Sequence, residues 1–329
     1  MSYIKALSFT TGVRDWLAHS RHPRILHLFD QVCNLINERG EVLSVVTPQI
    51  GDGPFNLVVE NGICFSEHLN LDSPIRCAET AVSHRRAPSI NRVKAPIFHA
   101  RLHLGALTID IAEAELWNPR PDWEKLHVKR GDILGQIMSL RAPTGAQESF
   151  SGEGIAPVHT CHLPRTNEMR GVSGWRQGRT LFAMTAITDS LSSALVSADL
   201  SSSIAAARQL AGLGIGLTPS GDDFILGAIL ATWFFHPPDI AKVLAEEIAD
   251  STAPLTTSLS AAWLRSAGRG EAGILWHEFF DALIAGDAIG IRSQIDKILS
   301  VGETSGADAL SGYLGTYVRW GEMSSIDTL

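Results

Sequence analysis

The residues best suited to chemistry lie in Gly212-Leu-Gly-Ile-Gly-Leu-Thr-Pro-Ser-Gly-Asp-Asp223, where glycines and two hydroxyls, Thr218 and Ser220, lead into two carboxylates. An apolar run, Phe224–Phe235, follows at once and reads as a helix. Backbone amides at Gly214, Gly216 and Gly221, the hydroxyls and the positive end of a helix dipole would then converge on one point. Local structure alone can build a small anion site in this way. No Gly-Lys-Ser/Thr follows the glycines, so the stretch is not a Walker loop. Its spacing is not Gly-x-Gly-x-x-Gly after a strand either, so a dinucleotide fold is not indicated.

A shorter echo occurs at Gly302-Glu-Thr-Ser-Gly-Ala-Asp308. Both stretches run Gly-x-Thr, Ser-Gly and Asp, with Pro219 the single insertion, and both open an apolar helix. Thr304, Ser305 and Gly306 would match Thr218, Ser220 and Gly221, so that two helix N-termini face one small anionic substrate. The simpler alternative is two ordinary serine caps with an acidic first turn. Asp222, Asp223 and Asp308 are the candidate catalytic residues, because adjacent carboxylates raise one another's pKa and supply an acid or base near neutrality. They equally suit the dipole at a helix start, or Mg²⁺ shared with phosphate. Spacing fixes no metal-ligand set, so no metal residue is assigned and no organic cofactor is expected.

Other candidates carry less. Arg265, in an otherwise apolar helix opened by Thr256-Thr-Ser-Leu-Ser260, suits a bidentate contact to a carboxylate or phosphate. An ordinary salt bridge would explain it equally well. Ser220 has no nameable base for a nucleophilic role. His159-Thr-Cys-His162 lacks further zinc ligands at useful spacing.

The elements that must position these groups change character along the chain. Short apolar stretches at Arg24–Phe29, Val32–Ile36, Glu41–Val46, Asn56–Glu60, Ile97–Leu104 and Ala106–Ile111, broken by turn residues, predict a β-rich domain over 1–120. Asn61-Gly62 predicts a hairpin joining Asn56–Glu60 to Ile63-Cys-Phe65. Two prolines in Trp117–Trp123 mark the exit from this domain, and residues 121–188 read as a connecting helix and an irregular insert over Arg141–Arg179 rich in Gly, Pro, Ser and Thr. Residues 189–329 read as helices at Asp199–Ala211, Ser220–Phe235, Asp239–Asp250, Leu255–Ala267, Glu271–Ala285, Asp287–Leu299 and Ser305–Trp320. The predicted class is α+β: an N-terminal barrel or sandwich-like domain followed by a mainly α-helical one.

Bulk properties exclude several roles. With 329 residues the chain suits two domains, and its formal net charge of −8 with no basic patch argues against nucleic acid or an acidic membrane. The longest apolar run has 12 residues, too few to span a bilayer. The N-terminus shows no secretory pattern, and four scattered cysteines suit a reducing cytoplasm.

The paired loops, Gly216–Asp223 and Gly302–Asp308, resemble the AllH family, whose named members are subunits of oxamate carbamoyltransferase. Further similar stretches are Thr256-Thr-x-x-Ser260-x-x-Trp263-Leu-Arg265-x-Ala267, Asn34-Leu35 through Gly40-Glu-Val-Leu-Ser44, and Gly53-Pro54. The resemblance implies a subunit of an enzyme, with partner subunits, that exchanges carbamoyl between phosphate and oxamate. Such chemistry needs a phosphate cradle, a carboxylate anchor and stabilisation of a tetrahedral oxyanion. A non-catalytic metabolite-binding or assembly subunit is the alternative, and a stand-alone hydrolase of a small amide is a third.

Overall fold

The computed structural model describes residues 2–79, 100–141 and 186–326. The chain divides into two compact units, Met1–Pro119 and Arg120–Leu329. Each has its own hydrophobic core.

Among the described residues of the first unit, nine strands form one mixed sheet: β1 (Ser2–Phe9), β2 (Arg24–Leu28), β3 (Val32–Ile36), β4 (Val42–Val46), β5 (Asn56–Val59), β6 (Ile75–Glu79), β7 (Ala100–Leu104), β8 (Leu107–Asp110) and β9 (Glu115–Leu116). Their order is β2-β3-β4-β5-β1-β8-β7-β6, with β9 beside β1, and the sheet is nearly closed and barrel-like. β1 holds it together. It pairs antiparallel with β5 and parallel with β8 and β9. Alternation sends Cys33, Leu35, Leu43, Val45, Leu57 and Val59 into the core. Helix α1 (Thr11–His19) adds Val13, Trp16 and Leu17 to that core. Thr10 fixes its start by accepting from the Val13 N–H at 3.2 Å and donating to the Pro54 carbonyl at 2.7 Å.

One sequence expectation fails here. Asn61-Gly62 does bend the chain, with Gly62 at φ +95°, but no return strand follows. Residues Phe65–His68 form a short helix, α2, and Phe65 is wholly buried. Both edges of β5 are already taken by β1 and β4, so a third partner has no edge to pair with.

The second unit contains helices α3 (Trp123–Val128), α4 (Arg130–Arg141), α5 (186–196), α6 (Leu200–Leu210), α7 (Ser220–Phe235), α8 (Pro238–Thr252), α9 (Ser258–Gly268), α10 (Ile274–Ala285), α11 (Ala288–Leu299) and α12 (Ser305–Ile326). The helix expected from Leu255 starts later. A 3₁₀ turn occupies Ala253–Leu255, and Thr257 caps α9 by accepting from the Ser260 N–H at 3.1 Å. Nearly all the expected Arg141–Arg179 insert, with His159 and His162, lies outside the described residues.

Helix α7 is apolar on every side and therefore central. Its main neighbour is α12, and matching pairs along the two (Thr218 with Ser305, Gly227 with Ala309, Phe234 with Tyr317) show that they run parallel. Glycine makes this approach possible. A Cβ on Gly227 would sit 1.8 Å from the Ala309 carbonyl oxygen, and one on Gly312 would sit 2.1 Å from that of Phe224. Two parallel helices in such contact put their N-termini, and so their positive dipole ends, side by side. No helix among the described residues is long and apolar enough to cross a membrane.

Candidate functional site

The loop between α6 and α7 folds because its glycines adopt backbone angles that other residues resist. Gly212, Gly214 and Gly216 have φ of +73°, +125° and +100°. The chain thereby doubles back, and the Gly221 N–H donates to the Leu213 carbonyl at 2.8 Å. Pro219 is the residue before α7 and offers no side-chain cap. Its carbonyl instead accepts from the N–H groups of Asp222 and Asp223, at 2.9 and 3.2 Å.

Asp222 ties three segments together. It is 2% exposed, and its Oδ1 accepts from the Gly212 N–H at 2.8 Å while its Oδ2 accepts from the Thr256 hydroxyl. The neighbouring Thr257 hydroxyl donates to the Leu217 carbonyl at 2.6 Å. Burial pushes the Asp222 carboxyl up, and bonds from Thr256 and Gly212 oppose the rise.

Asp223 is held differently. It is 8% exposed, and its Oδ2 has no hydrogen-bond partner among the described residues. Burial pushes its carboxyl up to about 8, against the pull of the Ser305 and Thr218 hydroxyls, and the charges of Asp308 and Asp222 add to the rise. Those two hydroxyls meet at 2.7 Å and link the loop to the start of α12. Asp308 is buried in the first turn of α12, its N–H donating to the Thr304 carbonyl at 2.9 Å.

The fold thus gathers Thr218, Asp222, Asp223, Ser305 and Asp308 at the paired helix starts. Gly214 and Gly216 lie in the exposed loop, Ser220 is half-buried, and Gly221 and Gly306 are buried. Two amides expected to face a ligand are used internally, Gly221 by Leu213 and Gly306 by Val301, and the Gly212 amide is taken by Asp222. The polar groups left at the helix starts include the Thr218 and Ser305 hydroxyls and the Asp223 carboxyl. Arg265 is exposed in the last turn of α9, and no hydrogen bond or ion pair among the described residues joins it to the aspartates. Thr256, which sequence reasoning treated only as part of a helix opening, proves to be the direct partner of Asp222. Its signal was the hydroxyl run Thr256-Thr-Ser. Among the described residues, no three or more His, Cys, Asp or Glu side chains are grouped to hold a metal ion.

These features define a two-unit α+β protein whose helical unit joins two acidic, hydroxyl-bearing helix starts. Residues 210–317 of this unit match the family described as oxamate carbamoyltransferase subunit AllH. The resemblance read from the two loops therefore holds over the segment that contains both of them. No solved structure matches the chain.

Proposed function

We propose that this chain is a subunit of a carbamoyltransferase acting on oxamate, or on a related ureido-acid, with phosphate or carbamoyl phosphate. The observation that carries this reading is the meeting of Thr218 and Ser305 across the parallel N-termini of α7 and α12, inside the segment matched to the oxamate carbamoyltransferase subunit family. Two positive dipole ends and two hydroxyls favour a small oxyanion there. Thr218, Ser220, Thr304 and Ser305 would bind it, with Gly214, Gly216, Gly221 and Gly306 shaping the backbone around them. Asp222, Asp223 and Asp308 border the same place. Arg265 belongs to the ligand set only if its exposed side chain turns toward the anion. Mg²⁺ accompanying the phosphate is a further part of the proposal, to be read from activity with and without chelator. The chain would act with partner subunits.

Thermal-shift and calorimetric titration of the full chain with phosphate, carbamoyl phosphate and oxamate test the reading. Stabilisation by at least one of them, reduced by Thr218→Val, is expected. No response to any of the three, alone or with co-purifying subunits, would overturn it.

A second reading is favoured by one observation. The loop that carries Thr218 exposes three apolar side chains, Leu213, Ile215 and Leu217, with Ile215 96% exposed. A non-catalytic assembly subunit would use such a loop against a partner, and would bind the metabolite without needing Asp223 for turnover.

A further inference from the structure

Asp222 and Asp223 are not equivalent, and the difference assigns their roles. Both oxygens of Asp222 are occupied, one by the Gly212 amide and one by the Thr256 hydroxyl. It anchors the loop and has no oxygen left to exchange a proton with a ligand. Asp223, one residue on, is also buried but keeps Oδ2 without a hydrogen-bond partner among the described residues, beside the Thr218 and Ser305 hydroxyls.

We propose that Asp223 is the general acid of the site, a buried carboxylic acid that passes its proton to the nitrogen leaving the carbamoyl carbon. This rests on the carbamoyltransferase reading above. Geometry supports it through the unpartnered, buried oxygen and through the company Asp223 keeps. Asp222 lies on its own helix, Asp308 faces it from α12, and the surrounding hydroxyls carry no charge. No cation contributes to its surroundings among the described residues, and burial outweighs the two hydroxyls that favour the ionised form. A carboxyl so placed keeps its proton at neutral pH and can donate it.

The step balances. A phosphate oxygen of HPO₄²⁻ attacks the carbamoyl carbon of N-carbamoyl oxamate, and a C–O bond forms. The bond from that carbon to the oxamate nitrogen breaks, and the nitrogen takes the Asp223 proton. The phosphate's own proton then restores the acid, leaving carbamoyl phosphate and oxamate. In the reverse direction the Asp223 carboxylate removes a proton from the oxamate nitrogen as it attacks.

The test uses the full chain with its co-purifying subunits. Wild type is compared with Asp223→Asn, which matches the neutral acid in shape, and with Asp222→Asn. Phosphate binding is measured by calorimetry, turnover is followed from pH 6 to 9.5, and the Asp223 carboxyl carbon is titrated by ¹³C NMR. The expected result is phosphate binding by Asp223→Asn within a few-fold of wild type. Turnover should fall by about 10²–10⁴-fold, and the carboxyl signal assigned to Asp223 should titrate well above the ordinary carboxylate range. Turnover within tenfold of wild type and an unchanged pH profile, with binding intact, would overturn the acid role alone. Absence of phosphate binding by the wild type would overturn the carbamoyltransferase reading beneath it.

Discussion

The hydroxyls of Thr218 and Ser305 stand 2.7 Å apart, one on the glycine-rich loop and the other at the first residue of α12. Eighty-seven residues separate them in sequence, and their meeting turns two ordinary helix starts into one place. A hydrogen bond between partly buried neutral groups is worth about 1 kcal/mol net. Thr218→Val and Ser305→Ala should each destabilise the chain by about that amount, and the double variant should lose less than the sum. A double-mutant cycle from denaturant unfolding measures the coupling. Strict additivity would show that the two hydroxyls do not depend on one another.

The same meeting depends on how closely α7 and α12 approach. A methyl on Gly227 or Gly312 must displace a backbone carbonyl rather than a flexible side chain. Overpacking of this kind costs about 1–3 kcal/mol. Gly227→Ala and Gly312→Ala are therefore expected to lower Tm by several degrees and to weaken phosphate binding by moving Ser305 away from Thr218. Gly315, on α12, has open space for a Cβ. Gly315→Ala is the control and should leave Tm unchanged or raised.

The anchoring of the loop by Asp222 gives a third outcome. Thr256→Val removes the hydroxyl that Asp222 Oδ2 accepts from, and leaves a buried carboxylate oxygen unpartnered. The cost should be about 1–3 kcal/mol, and Thr256→Ser should recover most of it. Hydrogen exchange would locate the loss: faster exchange at the Gly212 amide is expected, because its acceptor is the same carboxylate. Unchanged exchange there would refute the anchoring role.

How much of this was legible in the sequence depended on the range of the interactions. The start of α7 at Ser220 and the stop at Gly212 were readable because glycine, proline and an apolar run act locally. The barrel-like sheet followed by helices was readable from the change of period. The echo between Gly216–Asp223 and Gly302–Asp308 suggested that the two starts belong together. What brings them together, the glycine contacts of α7 with α12, has no local signature. β1 was not read because its strand depends on partners as distant as Leu107–Asp110. The Asn61-Gly62 hairpin failed for the converse reason: a sound turn signal met a strand with both edges occupied. The difference between Asp222 and Asp223 was not legible at all. It is set by Thr256 and Gly212 reaching one carboxylate and not its neighbour.

That difference should appear in the pH dependence of stability. Asp223 has its carboxyl raised from 3.8 to about 8 in the folded chain, chiefly by burial. Below 3.8 the group is protonated in both folded and unfolded states, so the stability it contributes is fully present. As pH rises from there, the unfolded chain releases this proton while the folded chain keeps it. Stability therefore falls, by up to about 1.4 kcal/mol for each pH unit, until the folded group also ionises near 8. Asp222, also raised by burial, adds a slope of the same sign. Asp223→Asn carries no proton to release, so its stability should exceed that of wild type at pH 8 and approach it near pH 4. Urea unfolding of both proteins across this range gives the comparison directly. Parallel curves for the two would mean that Asp223 is ionised in the folded chain throughout, and would remove the proton on which its role as an acid depends.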